Sequence, residues 1–258
     1  LACAGLLCLC IAMTIYSFAS TIGVFYIGGF FLGNFYGVGD VNWRRLYMRW
    51  LQFGTFTPMM RFHGTMTPRE IYQFGSENDG IGDFDHILKY VKLRYRMLPY
   101  LYSTAWQVTD NDESYLRALV YDFAADKKTW DMTDEFLFGN NILATPIVTS
   151  QYTDEKVIRT NEMTGWDRTE VAQKLAEAVD FDQSKTATKY LPAGADWYYY
   201  WTETKYKGGQ DVTIETKFDE VPMFVKAGSI LPLAPVMMYA EESKWDDLEV
   251  VVYPGADG

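Results

Sequence analysis

Apolar side chains first recur with helical spacing and then run without interruption, which predicts a helix followed by a buried strand. Asp40 can cap a helix in which large apolar residues lie at three- and four-residue steps over 43–53. The pattern breaks at Gly54, so we expect the helix to end there. The apolar run 56–60 then predicts a strand.

A second, longer helix is predicted over about 83–108, where apolar residues again recur with helical spacing. Pro99 should kink this helix, because proline lacks a backbone N–H and clashes with the preceding turn. A polar loop of about twenty residues leads into the helix, and a loop of that length in a compact domain is usually functional. The order strand, helix, strand, long helix is typical of the closing units of a parallel α/β barrel.

From residue 136 onwards the pattern changes to short apolar runs separated by glycine, proline and aspartate. Such runs predict the strands of an antiparallel β-sandwich. The more polar stretch 151–185 is interpreted as an insertion in the sandwich, with helical character over 170–179. The predicted strands lie within 136–138, 141–148, 156–159, 188–191, 196–201, 212–216, 223–225 and 230–233, and one more opens at 248.

Two polar residues follow the predicted strand 56–60, namely Arg61 and His63, one of only two histidines in the chain. In an α/β barrel, the carboxyl ends of the strands carry the ligand-binding groups. The pair is therefore a candidate binding site for a ligand. An arginine and a histidine on an ordinary surface turn would give the same spacing, and this alternative stays open.

Composition and charge limit the kinds of partner that this chain can bind. The chain is 48% apolar and 17% aromatic, which excludes a disordered protein. Its formal net charge is −11 and no cluster of lysine and arginine occurs, so we expect no nucleic-acid partner. An uncharged or weakly charged substrate is permitted, and aromatic rings can stack on the flat faces of sugars.

The first 39 residues contain no charged side chain. The run 1–19 is long enough for a membrane helix, but its glycines and small residues also suit a buried barrel helix and strand, which we favour. All three cysteines, Cys3, Cys8 and Cys10, lie in this region, so no disulfide can join distant parts of the fold. Their spacing lacks a second pair of zinc ligands, and we expect neither a metal nor a cofactor.

Seven segments together resemble glycoside hydrolase family 31, the family of α-glucosidases and α-xylosidases, and its bacterial α-xylosidase branch in particular. They occur in the family's order along the chain, so the set is far more specific than any one motif. The segments are IGGFF (27–31), RWLQFGTFTPMMRFHG (49–64), PREI (68–71), KLRYRMLPYLY (92–102), LPAGADW (191–197), PMFVKAGSILP (222–232) and VYPGADG (252–258).

The resemblance implies a fold of the α/β plus all-β class. Residues 1–135 would form the last two strand-helix units of a TIM (β/α)8 barrel, and 136–240 a proximal antiparallel β-sandwich with an insertion near 151–185. Residues 241–258 would begin a distal sandwich. The chain would then be a C-terminal fragment of a longer enzyme.

The resemblance also implies a retaining mechanism, in which one aspartate attacks the sugar and a second protonates the leaving oxygen. The family carries both aspartates upstream of the segment that matches 27–31, so no catalytic residue is assigned in this chain. Trp130-Asp131-Met132 only partly matches the nucleophile motif and lies beyond the long helix, and Asp131 is interpreted as a loop acid.

Four residues are assigned by the resemblance to the binding of the sugar that is cleaved. Arg61 and His63 match the family's Arg-x-His, and Phe30 matches an aromatic wall of the same subsite. Tyr26 stands where the family has an aspartate, and a phenol cannot accept two hydroxyl hydrogen bonds as a carboxylate does.

The expected function is therefore that of an α-glycosidase fragment acting on terminal α-xylosyl or α-glucosyl residues, with xyloglucan-type oligosaccharides as substrate and no activity alone. A periplasmic or extracellular location is expected for a bacterial enzyme of this kind. Two alternatives stay open: a carbohydrate-binding module that uses the aromatic run 197–201, and a sandwich protein held by a membrane anchor at 1–25. The aromatic run is more simply explained as alternating core positions of a strand.

Overall fold

The computed structural model describes residues 41–62, 70–74, 83–149, 151–152, 158–160, 168–170 and 183–255. The chain divides into two compact units. The first unit comprises residues up to 117, 137–142 and 227 onwards, and the second comprises 118–136 and 143–226. The apolar run 1–19 lies outside the described residues. Within the described residues, no helix has the length and apolar character needed to cross a membrane.

Helices dominate the first unit. They are α1 (Val41–Thr55), a 3₁₀ helix (Ile71–Phe74), α2 (Asp83–Arg96) and α3 (Leu98–Asp110). The predicted long helix is thus interrupted at Met97, directly before the first turn that contains Pro99. Proline is tolerated there because the first N–H groups of a helix have no intrahelical partner. The predicted kink is confirmed as a break between two helices.

The predicted strand 56–60 was wrong, and so was the end of α1 at Gly54. The helix continues through Gly54 to Thr55, and the chain then turns, with the Phe56 N–H donating to the Phe53 carbonyl at 3.1 Å. Residues 56–62 pair with no strand in the described structure. An apolar run becomes a strand only when a neighbouring strand takes up its backbone groups, and here a side chain takes up several of them.

Four short strands complete the first unit or border it. Strands β1 (Leu116–Ala118) and β2 (Phe136–Phe138) are neighbours in one sheet, and each has two of its three residues in this unit. Strands β11 (Ile230–Leu233) and β12 (Glu249–Val252) pair antiparallel, with Ile230 opposite Val252.

The second unit is built from antiparallel strands. Strands β3 (Ile142–Ala144), β10 (Met223–Lys226), β7 (Asp196–Tyr199) and β8 (Lys205–Lys207) lie side by side in that order. The longest strands, β6 (Lys185–Leu191) and β9 (Gln210–Thr216), pair antiparallel, with Lys185 opposite Thr216. In β9 the side chains alternate between buried and exposed, as expected for a sheet with one covered face.

The insertion and the connections contain the remaining elements of the second unit. Strands β4 (Ile158–Thr160) and β5 (Arg168–Glu170) pair antiparallel within the predicted insertion. The helical character predicted over 170–179 falls almost entirely outside the described residues. A short helix, α4 (Leu119–Asp122), and a 3₁₀ helix (Lys127–Thr129) precede β2.

Every strand predicted from residue 136 onwards has a counterpart in the described structure. Strands β1, β5 and β8 were missed. Each has only three residues, too few for an alternating pattern to stand out from the surrounding loops.

Candidate functional site

The candidate site is the segment of residues 56–62 that follows α1, called here the 56–62 segment. Arg61 lies near its end with an exposed side chain. The predicted partner His63 lies outside the described residues, as do Phe30 and Tyr26. The structure therefore places one of the four predicted sugar-binding residues, and the other three stay predictions.

Aromatic packing holds both ends of the 56–62 segment. Phe56 has no exposed surface, and its ring meets the Phe138 ring edge to face, with centroids 6.0 Å apart. At the other end the Phe62 ring stacks on Tyr47, with centroids 6.0 Å apart, and Tyr47 stacks in turn on Phe74 at 4.5 Å. Buried and stacked rings fix the backbone on which they stand, so the position of Arg61 between them is restricted.

A second arginine binds the backbone of the 56–62 segment. Arg94 of α2 donates through Nη1 to the carbonyls of Thr55 and Thr57, at 2.9 and 2.7 Å, and through Nη2 to that of Pro58, at 2.9 Å. Its guanidinium carbon lies 5.8 Å from the centre of the Phe138 ring. Burial lowers the pKa of Arg94 from its ordinary value, yet a guanidinium keeps its charge in proteins.

The hydroxyl of Thr57 closes the turn between α1 and the segment. Its Oγ1 lies 2.7 Å from the Gly54 carbonyl and 2.8 Å from the Met59 carbonyl. Local side-chain to backbone hydrogen bonds of this kind favour turns over helix and strand. They supply a further reason why the apolar run after α1 turns instead of forming a strand.

Chemically, the segment offers an exposed guanidinium on a fixed backbone. Arg61 can donate several hydrogen bonds but accepts none, so it suits the oxygens of a hydroxylated or anionic ligand. A guanidinium cannot act as a general base or nucleophile at neutral pH. In the part of the chain that the structure describes, no group of three or more histidine, cysteine, aspartate or glutamate side chains is arranged to hold a metal ion.

The Trp130-Asp131-Met132 motif lies on a turn that follows the second 3₁₀ helix. The Asp131 side chain is exposed. Trp130 donates from Nε1 to the Ala124 carbonyl at 2.9 Å, which closes the turn. This placement supports the interpretation of Asp131 as a loop acid.

The aromatic run 197–201 contributes largely to the core of the second unit. Trp197 has no exposed surface, and its Nε1 donates to the Pro192 carbonyl at 3.1 Å. Tyr199 is also buried, whereas Tyr198 points to the other face of β7 and is half-buried. Trp201 donates from Nε1 to the Val221 carbonyl at 2.7 Å. The alternation expected for core positions is confirmed for this strand.

Sequence reasoning missed Arg94 and the aromatic partners of the 56–62 segment. Arg94 lies among charged residues of α2, where a cation is usually solvated, and periodicity marks only apolar positions. The neighbours of Arg94 on the helix, Leu93 and Tyr95, are buried and half-buried, but this burial is a property of the structure and does not mark position 94 in the sequence. The acceptors of Arg94 are 36 to 39 residues away, and no local pattern reports such contacts.

Two sequence profiles match most of this chain. One, described as "Glycosyl hydrolases family 31 TIM-barrel domain", matches residues 12–104. The other, described as "Glycosyl hydrolase family 31 C-terminal domain", matches residues 112–171 and 171–231. Together they cover well over half of the sequence.

Individual relatives point the same way. An α-xylosidase of Saccharolobus solfataricus is 32% identical over 231 residues, which are 90% of this chain and 26% of the relative. The α-glucosidase 2 of Bacillus thermoamyloliquefaciens is 30% identical over 198 residues, which are 76% of this chain and 20% of the relative. The chain thus spans about a quarter or less of the length of these relatives.

Solved structures share the fold. The chain matches the GH31 α-xylosidase of Xanthomonas citri with a TM-score of 0.66 at 32% identity, over 83% of this chain and 20% of that one. It matches a Flavobacterium johnsoniae GH31 dextranase complexed with isomaltotriose with a TM-score of 0.65 at 29% identity, over 90% of this chain and 26% of the dextranase. The predicted fold class, a portion of a TIM barrel followed by an antiparallel β domain, is confirmed by these matches.

Proposed function

Because this chain belongs to glycoside hydrolase family 31, we propose that it forms part of a retaining α-glycosidase that hydrolyses terminal α-xylosyl or α-glucosyl residues of oligosaccharides. Within that range we favour α-xylosyl ends of xyloglucan-type glycans. The α-xylosidases of Saccharolobus solfataricus and Xanthomonas citri, each 32% identical to this chain, support the choice of xylose.

The observation that carries the proposal within this chain is the fixed placement of Arg61. Packed aromatic rings and three backbone hydrogen bonds restrict the 56–62 segment, while the Arg61 side chain is exposed. An exposed donor on a restricted backbone can fix the direction of sugar hydroxyls with little loss of entropy on binding.

The four predicted residues would share the recognition of one sugar ring. Arg61 and His63 would donate to its hydroxyl oxygens, and the ring of Phe30 would cover an apolar face of the sugar. Tyr26 would contribute a single phenol hydroxyl. The nucleophile and the acid/base aspartate would come from a part of the enzyme outside these 258 residues.

Turnover separates the binding role from the catalytic one. We expect the purified 258-residue chain to release no measurable product from an aryl α-xyloside or an aryl α-glucoside. The reason is that the carboxylate pair required for retaining hydrolysis is assigned to a part of the enzyme outside these residues. Turnover above that of a mock purification would contradict this assignment.

Replacement of Arg61 tests the sugar contact itself. We expect Arg61→Met to weaken calorimetric binding of an α-xylosyl-terminated oligosaccharide at least about tenfold, since a hydrogen bond to a charged group contributes roughly 1.5–3 kcal/mol. Lys127→Met, which removes an exposed cation in the other unit, is the matched control and should bind like the wild type. Equal affinities of the two variants would remove Arg61 from the proposed site.

Two further expectations accompany the proposal. We propose domain boundaries at 135 and 240, as expected from the sequence, and limited proteolysis followed by mass spectrometry would test them. We also propose a periplasmic or extracellular location for the whole enzyme, which cell fractionation followed by immunodetection of this chain would test.

A further inference from the structure

Helix α1 ends without a cation of its own. Its last turn contains no basic residue, although the last carbonyls of a helix have no intrahelical partner and carry a partial negative charge. Arg94, which belongs to α2, supplies both a charge and three N–H donors at this end. The acceptors include one carbonyl of the helix, at Thr55, and two beyond it, at Thr57 and Pro58.

The arrangement requires a guanidinium and not merely a positive charge. Three carbonyls converge on the two terminal nitrogens of Arg94, at distances from 2.7 to 2.9 Å. A lysine ammonium is a single nitrogen and could not occupy both donor positions. The Phe138 ring beside the guanidinium also packs against Phe56, so the same ring contacts the donor and the segment that it binds.

The contact lies close to the sugar-binding candidate along the chain. Only Met59 and Met60 separate Pro58 from Arg61, and three residues of extended chain span at most about 11 Å. Phe62 is held on the far side by Tyr47. Loss of the Arg94 contacts would therefore leave only the Phe56 packing and the Thr57 hydroxyl to restrain the backbone before Arg61.

We propose that Arg94 is a positioning residue, which acts on sugar binding through the backbone that carries Arg61 and makes no contact with the sugar. This inference rests on the proposed function for its sugar-binding part. It predicts that the effects of replacing Arg94 and Arg61 on sugar affinity are coupled, although Arg94 donates its hydrogen bonds to backbone carbonyls and not to the Arg61 side chain.

The test compares Arg94→Lys, which keeps the charge but loses the fork, with Arg94→Met and with the control Lys92→Met, an exposed residue of the same helix. Both Arg94 variants should weaken binding of an α-xylosyl-terminated oligosaccharide at least about fivefold, while the control binds like the wild type. In the Arg61→Met background, Arg94→Met should have little further effect, because coupled residues are not additive. Additive losses would overturn the proposal.

A merely structural role of Arg94 is tested with a variant that is destabilised in the other unit. Ile214→Ala removes a buried side chain in the other unit and should lower the melting temperature without altering oligosaccharide affinity. Affinity losses of the same size in Ile214→Ala and Arg94→Met would overturn the proposal.

Hydrogen exchange separates failure of this inference from failure of the proposed function. Should the wild-type chain bind no oligosaccharide, the sugar-binding role of Arg61 fails, but Arg94 is still tested by the exchange of the backbone amides of 59–62, followed by mass spectrometry. We expect at least about tenfold faster exchange in both Arg94 variants than in Lys92→Met. Unchanged exchange would show that Arg94 does not restrain the segment.

Discussion

At the scale of single residues, two buried ionisable side chains in the second unit show how neighbours decide charge. Lys189 is 6% exposed, and its ammonium donates to Asp134 at 3.0 Å and to the Pro146 carbonyl at 3.1 Å. Glu135 is 5% exposed and accepts one hydrogen bond, from the Tyr190 N–H to Oε1 at 3.0 Å. The salt bridge of Lys189 is to Asp134 and not to Glu135.

Burial raises the pKa of Glu135 to about 7, against the effects of the Tyr190 N–H and of nearby Lys189, which lower it. Its Oε2 has no hydrogen-bond partner among the described residues. Between these two pKa values the folded chain therefore holds a proton on Glu135, whereas the unfolded chain releases it near the ordinary glutamate pKa of 4.5. The contribution of protonated Glu135 to the free energy of unfolding is fully present below about pH 4.5 and is lost as the pH rises towards and through about 7.

Replacement of Glu135 by glutamine should remove this dependence, because the amide stays neutral at every pH. We expect the free energy of unfolding of Glu135→Gln to exceed that of the wild type at pH 8 by up to about 3 kcal/mol, and the gap to close towards pH 4.5. Urea titrations across this pH range measure both quantities. Asp131→Asn, at an exposed carboxylate, is the control, and equal pH slopes for Glu135→Gln and the wild type would contradict the assignment.

At the scale of elements, the turn after β2 depends on one glycine and one tyrosine. Gly139 has φ of +61°, and a Cβ there would lie 2.3 Å from the Tyr100 hydroxyl oxygen. Tyr100 donates to the Phe138 carbonyl at 2.7 Å and accepts from the Asn141 N–H at 3.3 Å. Burial raises the pKa of Tyr100 to about 12, so its hydroxyl stays protonated and can donate. One side chain of α3 thus holds both sides of the turn.

The two glycines Gly139 and Gly54 should respond to alanine in opposite directions. Gly139→Ala should lower the free energy of unfolding by at least about 2 kcal/mol, since the left-handed conformation is strained for alanine and the Tyr100 hydrogen bonds are displaced. Gly54→Ala should raise it by about 0.5–1 kcal/mol, because Gly54 is helical and an added Cβ meets nothing within 4 Å. Thermal and urea unfolding measure both, and a destabilised Gly54→Ala would contradict the helical assignment.

At the scale of the whole molecule, each unit has its own apolar core. Phe56, Tyr90 and Phe138 lie in that of the first unit, and Trp197 and Phe224 in that of the second. Acidic side chains exceed basic ones by 34 to 23. A negative surface of this kind repels polyanions and has no strong effect on a neutral ligand, so binding that depends on uncharged hydroxyls should be insensitive to salt.

Salt therefore distinguishes the kinds of partner. We expect the affinity for a neutral oligosaccharide to change less than about twofold when the salt concentration rises from about 50 to about 500 mM, because no counterions are released. Calorimetry at the two concentrations measures this. The chain should also pass through a heparin column without retention at low salt, and retention that salt reverses would contradict the exclusion of polyanionic partners.

Local pattern determined most of the helices and strands, and motif order determined the family. The break before Pro99 follows from the missing N–H of proline. The strands of the second unit other than β5 and β8 follow from alternation and turn residues, which are properties of neighbouring positions. The sequence alone was also enough to recognise that Arg61 lies in one of seven segments that occur in the order of the family.

Only the tertiary structure decided what residues 56–62 become. Their apolar run is compatible with a strand. Whether a strand forms depends on which donors bind the backbone carbonyls, and here the guanidinium of Arg94 binds them from a helix 36 to 39 residues away. The charge of Glu135 was decided in the same way, by burial and by the pairing of Lys189 with Asp134. Contacts between distant residues have no local signature, because a sequence records neighbours along the chain and not neighbours in space.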